Sequence, residues 1–177
     1  GDPAESSKTF ETVREKFNGD VYPDVLGFAE FGQAENLYDR QKIKEASEHY
    51  QNALKYARAN AGDNDLVTKC LIGLGTAEAD LEHFTEAEKA HQEALDLADQ
   101  AGNMTRLIQA EIQLSQDYLI QGNPERALQY LVKALGQTTD VDQKTRGDVL
   151  TATARCYAGL GQHAAATKYY QQAIGVF

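Results

Sequence analysis

Four histidines, His49, His83, His91 and His163, and two cysteines, Cys70 and Cys156, have the widest chemical repertoire in this sequence of 177 residues. Such side chains ligate metals, shuttle protons or attack as nucleophiles, but each role needs a partner at a fixed spacing. The histidines are dispersed and build no metal-ligand cluster with each other, with cysteine or with carboxylates. His91 lies in a helical pattern, where packing between helices is its expected role, and His83 and His163 fall in turns, where a solvated polar side chain is expected. Neither cysteine has a cationic cluster beside it to favour the thiolate. Asp63-Asn64-Asp65 opens like a calcium loop but lacks the later Gly and Glu, so helix capping explains it better. Asn103-Met104-Thr105 fits the glycosylation triplet, which has meaning only in a secreted chain. With no phosphate-binding glycine loop either, no catalytic residue, metal or cofactor is expected.

Bulk properties narrow the class further. Apolar residues make up 42% and charged residues 25%, with three prolines, a composition suited to a soluble, helix-rich domain. The formal charge of −10 and the pI near 4.8 repel phosphate backbones and anionic lipid surfaces, and no basic patch offsets them. No stretch is long and apolar enough to cross a bilayer. The expected setting is therefore cytoplasmic, without nucleic-acid or membrane partners.

The elements that position these residues repeat. Ala46 with Tyr50, Ala53 and Leu54 is followed by Ala87 with His91, Ala94 and Leu95, then Ala127 with Leu131, Ala134 and Leu135, then Ala166 with Tyr170, Ala173 and Ile174. The leading alanines are 41, 40 and 39 residues apart. Positions four and seven residues on share one helical face, so the small residues admit close packing and the large one between them fills the gap between helices. Twelve residues before each alanine stands another small residue, Ala34, Gly75, Ser115 or Ala154, marking a preceding helix.

Each unit therefore reads as helix, tight turn, helix. Turns fall at Arg40-Gln41-Lys42, Glu82-His83, Gln121-Gly122-Asn123-Pro124 and Gly159 to Gln162; Pro124 suits a first helical turn. Unit boundaries at Ala61-Gly62-Asp63-Asn64-Asp65, Ala101-Gly102-Asn103 and Thr138-Thr139-Asp140-Val141-Asp142 supply glycine for reversal and Asp, Asn or Thr for N-caps. The spacing predicts helices at about 23–39, 42–61, 65–81, 84–101, 104–120, 124–137, 142–159 and 162–177. A single domain over 1–177 then divides into repeats at 22–62, 63–102, 103–140 and 141–177. Phe10, Val13 and Phe17, followed by Asn18-Gly19-Asp20, place a further helix at 5–20, either a degenerate repeat helix or cap, or an arm folded into the groove. Cys70 and Cys156 sit two units apart, too distant for a disulfide.

Leu74-Gly75-Thr76-Ala77 followed by Phe84-Thr85-Glu86-Ala87 resembles the tetratricopeptide-repeat signature W-x2-L-G-x2-Y, A-x3-F, P. Leu114-Ser115 with Tyr118 and Gly122, and Tyr157 with Gly161 and Ala166, match other parts of it. Departures are the absence of Trp, Glu78 in place of Tyr, no closing Pro and a period near 40. The long period is similar to that of kinesin light chains, spindle adaptors and bacterial peptide sensors, which bind polypeptides. The resemblance implies an all-α, right-handed superhelical solenoid of antiparallel helix pairs, whose first helices line a concave groove.

Carried onto this sequence, the groove-facing positions are Phe28, Phe31, Glu35 and Tyr38; Lys69, Ile72, Thr76 and Ala79; Gln109, Ile112, Gln116 and Leu119; Asp148, Thr151, Arg155 and Ala158. Phe31, Ile72 and Ile112 form an apolar stripe that either receives a guest or packs between adjacent first helices. A clamp for a C-terminal carboxylate is not expected, because its places hold mainly Phe31, Glu35, Ile72 and Thr76, with Arg155 as the cation. The implied function is a non-catalytic adaptor or scaffold for a basic or amphipathic peptide or helix. The alternatives are a self-assembling segment, because the last helix ends in Ile174, Val176 and Phe177, and a regulatory arm of a larger enzyme or transcription regulator.

Overall fold

The computed structural model describes residues 3–16, 22–59, 64–139 and 141–176, with the side chains of 3–7 and 14 excepted. Among these residues the secondary structure is nine helices and no strand: α1 (Pro3–Lys16), α2 (Pro23–Asp39), α3 (Ile43–Ala59), α4 (Asn64–Asp80), α5 (Phe84–Gln100), α6 (Met104–Ile120), α7 (Pro124–Gly136), α8 (Gln143–Gly159) and α9 (His163–Ile174). The eight repeat helices start within one residue of their expected positions. The expected turn at Asn18-Gly19-Asp20 lies outside the described residues, as do Phe17, the reversal at Ala61-Gly62-Asp63, Asp140 and Phe177.

Local chemistry sets the helix ends. Five helices stop on a residue of positive φ: Gln41 at 60°, Glu82 at 64°, Gly102 at 64°, Gly122 at 73° and Gly161 at 71°. In each case the next amide reaches back five residues, Lys42 to Leu37, His83 to Glu78, Asn103 to Ala98, Asn123 to Tyr118 and Gln162 to Tyr157. This is the Schellman closure, which satisfies orphan carbonyls and turns the chain sharply. Side-chain oxygens of Asn103, Asn123 and Asp142 accept the amides of Arg106, Arg126 and Thr145 and so open α6, α7 and α8. Pro23 and Pro124 sit in first turns, where a missing amide hydrogen loses nothing.

The chain divides into two compact units, Gly1–Leu97 and Ala98–Phe177. In the first, α2 packs on α3, α3 on α4, and α2 also touches α4. Its core holds Ala34, Leu37, Ala46, Tyr50 and Ala77. Two glycines of α4 make the close packing possible. A Cβ on Gly73 would stand 2.4 Å from the Tyr50 ring, and one on Gly75 would stand 2.5 Å from the His91 ring. The large residue between the small ones fills the gap between helices, as expected. α1 packs on α2, and its buried Phe10 meets His49 of α3 edge-on at 5.3 Å.

In the second unit α6 packs on α7, α7 on α8, α8 on α9, and α6 also touches α8. Leu107, Ile108, Leu114, Leu131, Val149 and Cys156 are buried there. Tyr118 stacks on Tyr130 at 5.7 Å and Tyr157 on Tyr169 at 5.3 Å, so the two hairpins use the same aromatic pair one repeat apart. Both cysteines are buried; burial and Glu125 raise the Cys156 thiol above its ordinary pKa.

Candidate peptide-binding positions

The positions expected to face a groove come from first helices, and in each unit two first helices touch, α2 with α4 and α6 with α8. On α2, Phe28 is 51% exposed, and Gly32 one turn later has nothing within 4 Å of where its Cβ would be. The Gly32 position is therefore open to solvent, and Glu35, also exposed, follows Phe28 on the same face. Phe31 is half-buried against the core and edge-on to Tyr50 at 5.9 Å. Tyr38 is also packed on that core, and its hydroxyl donates to Asp80 Oδ2 of α4 at 2.5 Å. The Tyr50 hydroxyl donates to Glu35 Oε1. Burial first, and then these carboxylates, push both tyrosine hydroxyls well above the ordinary phenol pKa.

On α4, Lys69 is held by Asp65 at 2.7 Å, and the Thr76 hydroxyl donates to the Ile72 carbonyl at 2.9 Å. Lys69, Ile72 and Thr76 are half-buried. In the second unit Ile112 is buried and its carbonyl accepts from Ser115 at 2.6 Å. Gln116 and Leu119 are half-buried; Leu119 Cδ2 is 3.8 Å from the Cβ position of Gly159. Arg155 is exposed. Of the stripe Phe31, Ile72 and Ile112, none is exposed: Phe31 and Ile72 are half-buried and Ile112 is buried. Phe28, Glu35 and Arg155 are the exposed members of the set.

Several polar contacts between helices were not legible beforehand. Glu78, the departure from the family's Tyr, is buried and accepts from Ser47 at 2.5 Å; His83 Nδ1 lies 2.7 Å from its other oxygen. His83, expected to be merely solvated, is therefore also a partner of a buried carboxylate. His49 Nδ1 meets buried Glu30 at 2.6 Å. Glu111 is fully buried with Lys133 Nζ 2.9 Å from Oε1, yet neither carboxylate oxygen has a directed hydrogen bond. Burial raises the Glu111 carboxyl pKa, while Glu111 raises that of the Lys133 ammonium. One signal was present: Glu30 and Glu111 stand four residues before Ala34 and Ser115, where the other repeats carry Leu71 and Leu150.

These helix pairs, glycine-relieved contacts and repeated caps define a helical-repeat protein. The tetratricopeptide-repeat profile matches residues 28–100 and 106–177, and the chain belongs to that family. Among curated proteins none matches. Of solved structures, a Rap protein complexed with competence and sporulation factor is similar at 15% identity and a TM-score of 0.81, over 97% of this chain and 47% of that one. Kinesin light chain repeats from Podosopora anserina are similar at 13% identity and a TM-score of 0.75, over 98% and 84%. Aspartyl phosphate phosphatase F from Bacillus subtilis is similar at 16% identity and a TM-score of 0.68, over 98% and 54%. The chain thus spans about half the length of the Rap protein and the phosphatase. Its fold is that of the long tetratricopeptide repeats, a fold of protein–protein interaction modules.

Proposed function

We propose that the chain is a non-catalytic adaptor that receives a basic or amphipathic peptide on its first-helix positions. The observation that carries this reading is the exposed Phe28 ring one turn from the open Gly32 position, with the Glu35 carboxylate on the same face. An apolar anchor that becomes buried against the Phe28 ring would contribute about 1.5–3 kcal/mol before ordering losses. A cationic neighbour would find Glu35 and the overall charge of −10. The complex between the Rap protein and its factor supports the reading, because that similar structure holds a partner. The cytoplasm is the proposed setting, and among the described residues no helix is long and apolar enough to cross a membrane.

A random peptide library displayed on phage and selected on the chain tests this. Selected peptides should carry an aromatic or aliphatic anchor next to Lys or Arg, and Phe28→Asp should weaken them about tenfold or more. Peptides that bind Phe28→Asp and wild type equally well would reject the assignment. Phe28 is a cleaner probe than Phe31, whose ring packs on Tyr50, so that Phe31→Asp would disturb the fold as well. A second reading, self-association through the last helix, is favoured by the exposure of Tyr170 and Ile174.

A further inference from the structure

α7 carries a pair of cations that the corresponding helices of the other repeats lack. Arg126 and Lys133 stand where α3 has Glu45 and Asn52, α5 has Glu86 and Glu93, and α9 has Ala165 and Gln172. The fold does not require them. α8 and α9 form the same stacked tyrosine pair, Tyr157 on Tyr169, with neither cation at those places. In a chain at −10, two cations on one exposed helix face run against the general balance of charge.

Arg126, Gln129, Tyr130 and Lys133 line a cleft of about 300 Å³, at the small end of ligand sites. Their spacing puts them on one side of the helix. All four side chains can donate hydrogen bonds, and among the described residues no carboxylate lines the cleft. Seven residues span about 10 Å along the axis, so both long cationic side chains can reach a point above Tyr130 midway between them.

Neither cation is consumed by its neighbours. The Arg126 guanidinium carbon lies 4.2 Å from the centre of the buried Tyr118 ring, which itself stacks on Tyr130. A ring face holds a guanidinium without neutralising it. Lys133 Nζ lies 2.9 Å from Glu111 Oε1, and an ammonium has three donors to share. Glu111 and Asp99 both act on Lys133 and oppose an anion there.

We propose that the α7 cleft binds a phosphoryl dianion, with Arg126 and Lys133 supplying charge and Gln129 and Tyr130 supplying further donors. A phosphomonoester carries about −1.5 to −2 at pH 7 and three terminal acceptor oxygens. Two cations among four donor side chains match that better than they match the single charge of a carboxylate. The site does not involve Phe28 or the first-helix positions.

The test titrates the isotope-labelled full chain with phenyl phosphate and follows its backbone amides by NMR. Saturable shifts are expected at Arg126 to Lys133, with benzoate binding about tenfold more weakly or worse. Arg126→Ala, copying Ala165, should weaken binding about tenfold or more. Glu111→Leu removes an opposing carboxylate and should tighten it. Glu111→Leu with Lys133→Gln, copying Leu150 and Gln172, leaves no buried charge unpaired and should lose that gain and about tenfold more. Phe28→Asp should change nothing. Phosphotyrosine peptides with randomised flanks separate the sources: members bound more tightly than phenyl phosphate place the phosphoryl group on a modified partner, and a library without such members assigns the site to a free phosphomonoester. Absence of saturable shifts on α7, equal binding of benzoate, or binding indifferent to Arg126→Ala and to the paired change overturns the proposal.

Discussion

Glu111 puts a carboxylate where two other repeats put leucine. Its charge is fully buried, and among the described residues its close cation, Lys133, is half-exposed and approaches without a directed hydrogen bond. A buried charge so weakly compensated costs more than it returns, because desolvation outweighs the Coulomb gain. Glu111→Leu, copying Leu71 and Leu150, should therefore stabilise the chain by about 1–4 kcal/mol at neutral pH. Lys133 remains free to hydrate. The sign of the pH dependence follows from the raised carboxyl pKa. The folded state holds the Glu111 proton more tightly than the unfolded state, so that stability falls as pH rises from the ordinary glutamate range through the folded pKa. The advantage of leucine should then be larger at pH 7 than at pH 4. Denaturant melts at both pH values check this, and a variant less stable than wild type at pH 7 would show that the ion pair is a net stabiliser. Contacts of this kind were illegible because their partners, His49 for Glu30 and Lys133 for Glu111, occupy different places in their repeats.

At the scale of the element, periodicity and turn residues carried most of the information. Helix starts were legible because Asn103, Asp142 and Pro124 have few other uses in such places. The closures at Gln41 and Glu82 share the left-handed geometry of Gly102, Gly122 and Gly161, yet no glycine advertised them. The spacing of small residues announced close helix contacts, and Gly75 shows how close. A Cβ there would meet His91 Cδ2 and Nε2 at 2.5 Å, and His91 is itself buried. Gly75→Ala should destabilise by about 1–3 kcal/mol through overpacking, despite alanine's better helix propensity. Adding His91→Ala should relieve the clash, so a double-mutant cycle should give a coupling of about 0.5 kcal/mol or more. Additive effects would mean that α4 and α5 shift apart and do not hold the ring where it stands.

For the whole molecule, family and helical-repeat class were legible because a period near 40 with fixed internal spacing has few other physical solutions. Which first-helix side chains stay exposed was not. Phe28 and Phe31 are adjacent apolar positions on α2, and only the placement of Tyr50 decides that Phe31 packs inward while Phe28 remains exposed beside Gly32. Site-specific photo-crosslinking tests the central claim most directly. Benzoyl-phenylalanine placed at position 28 on α2, or at exposed position 55 on α3, is irradiated with a peptide selected on the chain. The proposal predicts strong capture from position 28 and little from position 55. Equal capture, or capture from position 55 alone, would contradict a guest seated on the first helices.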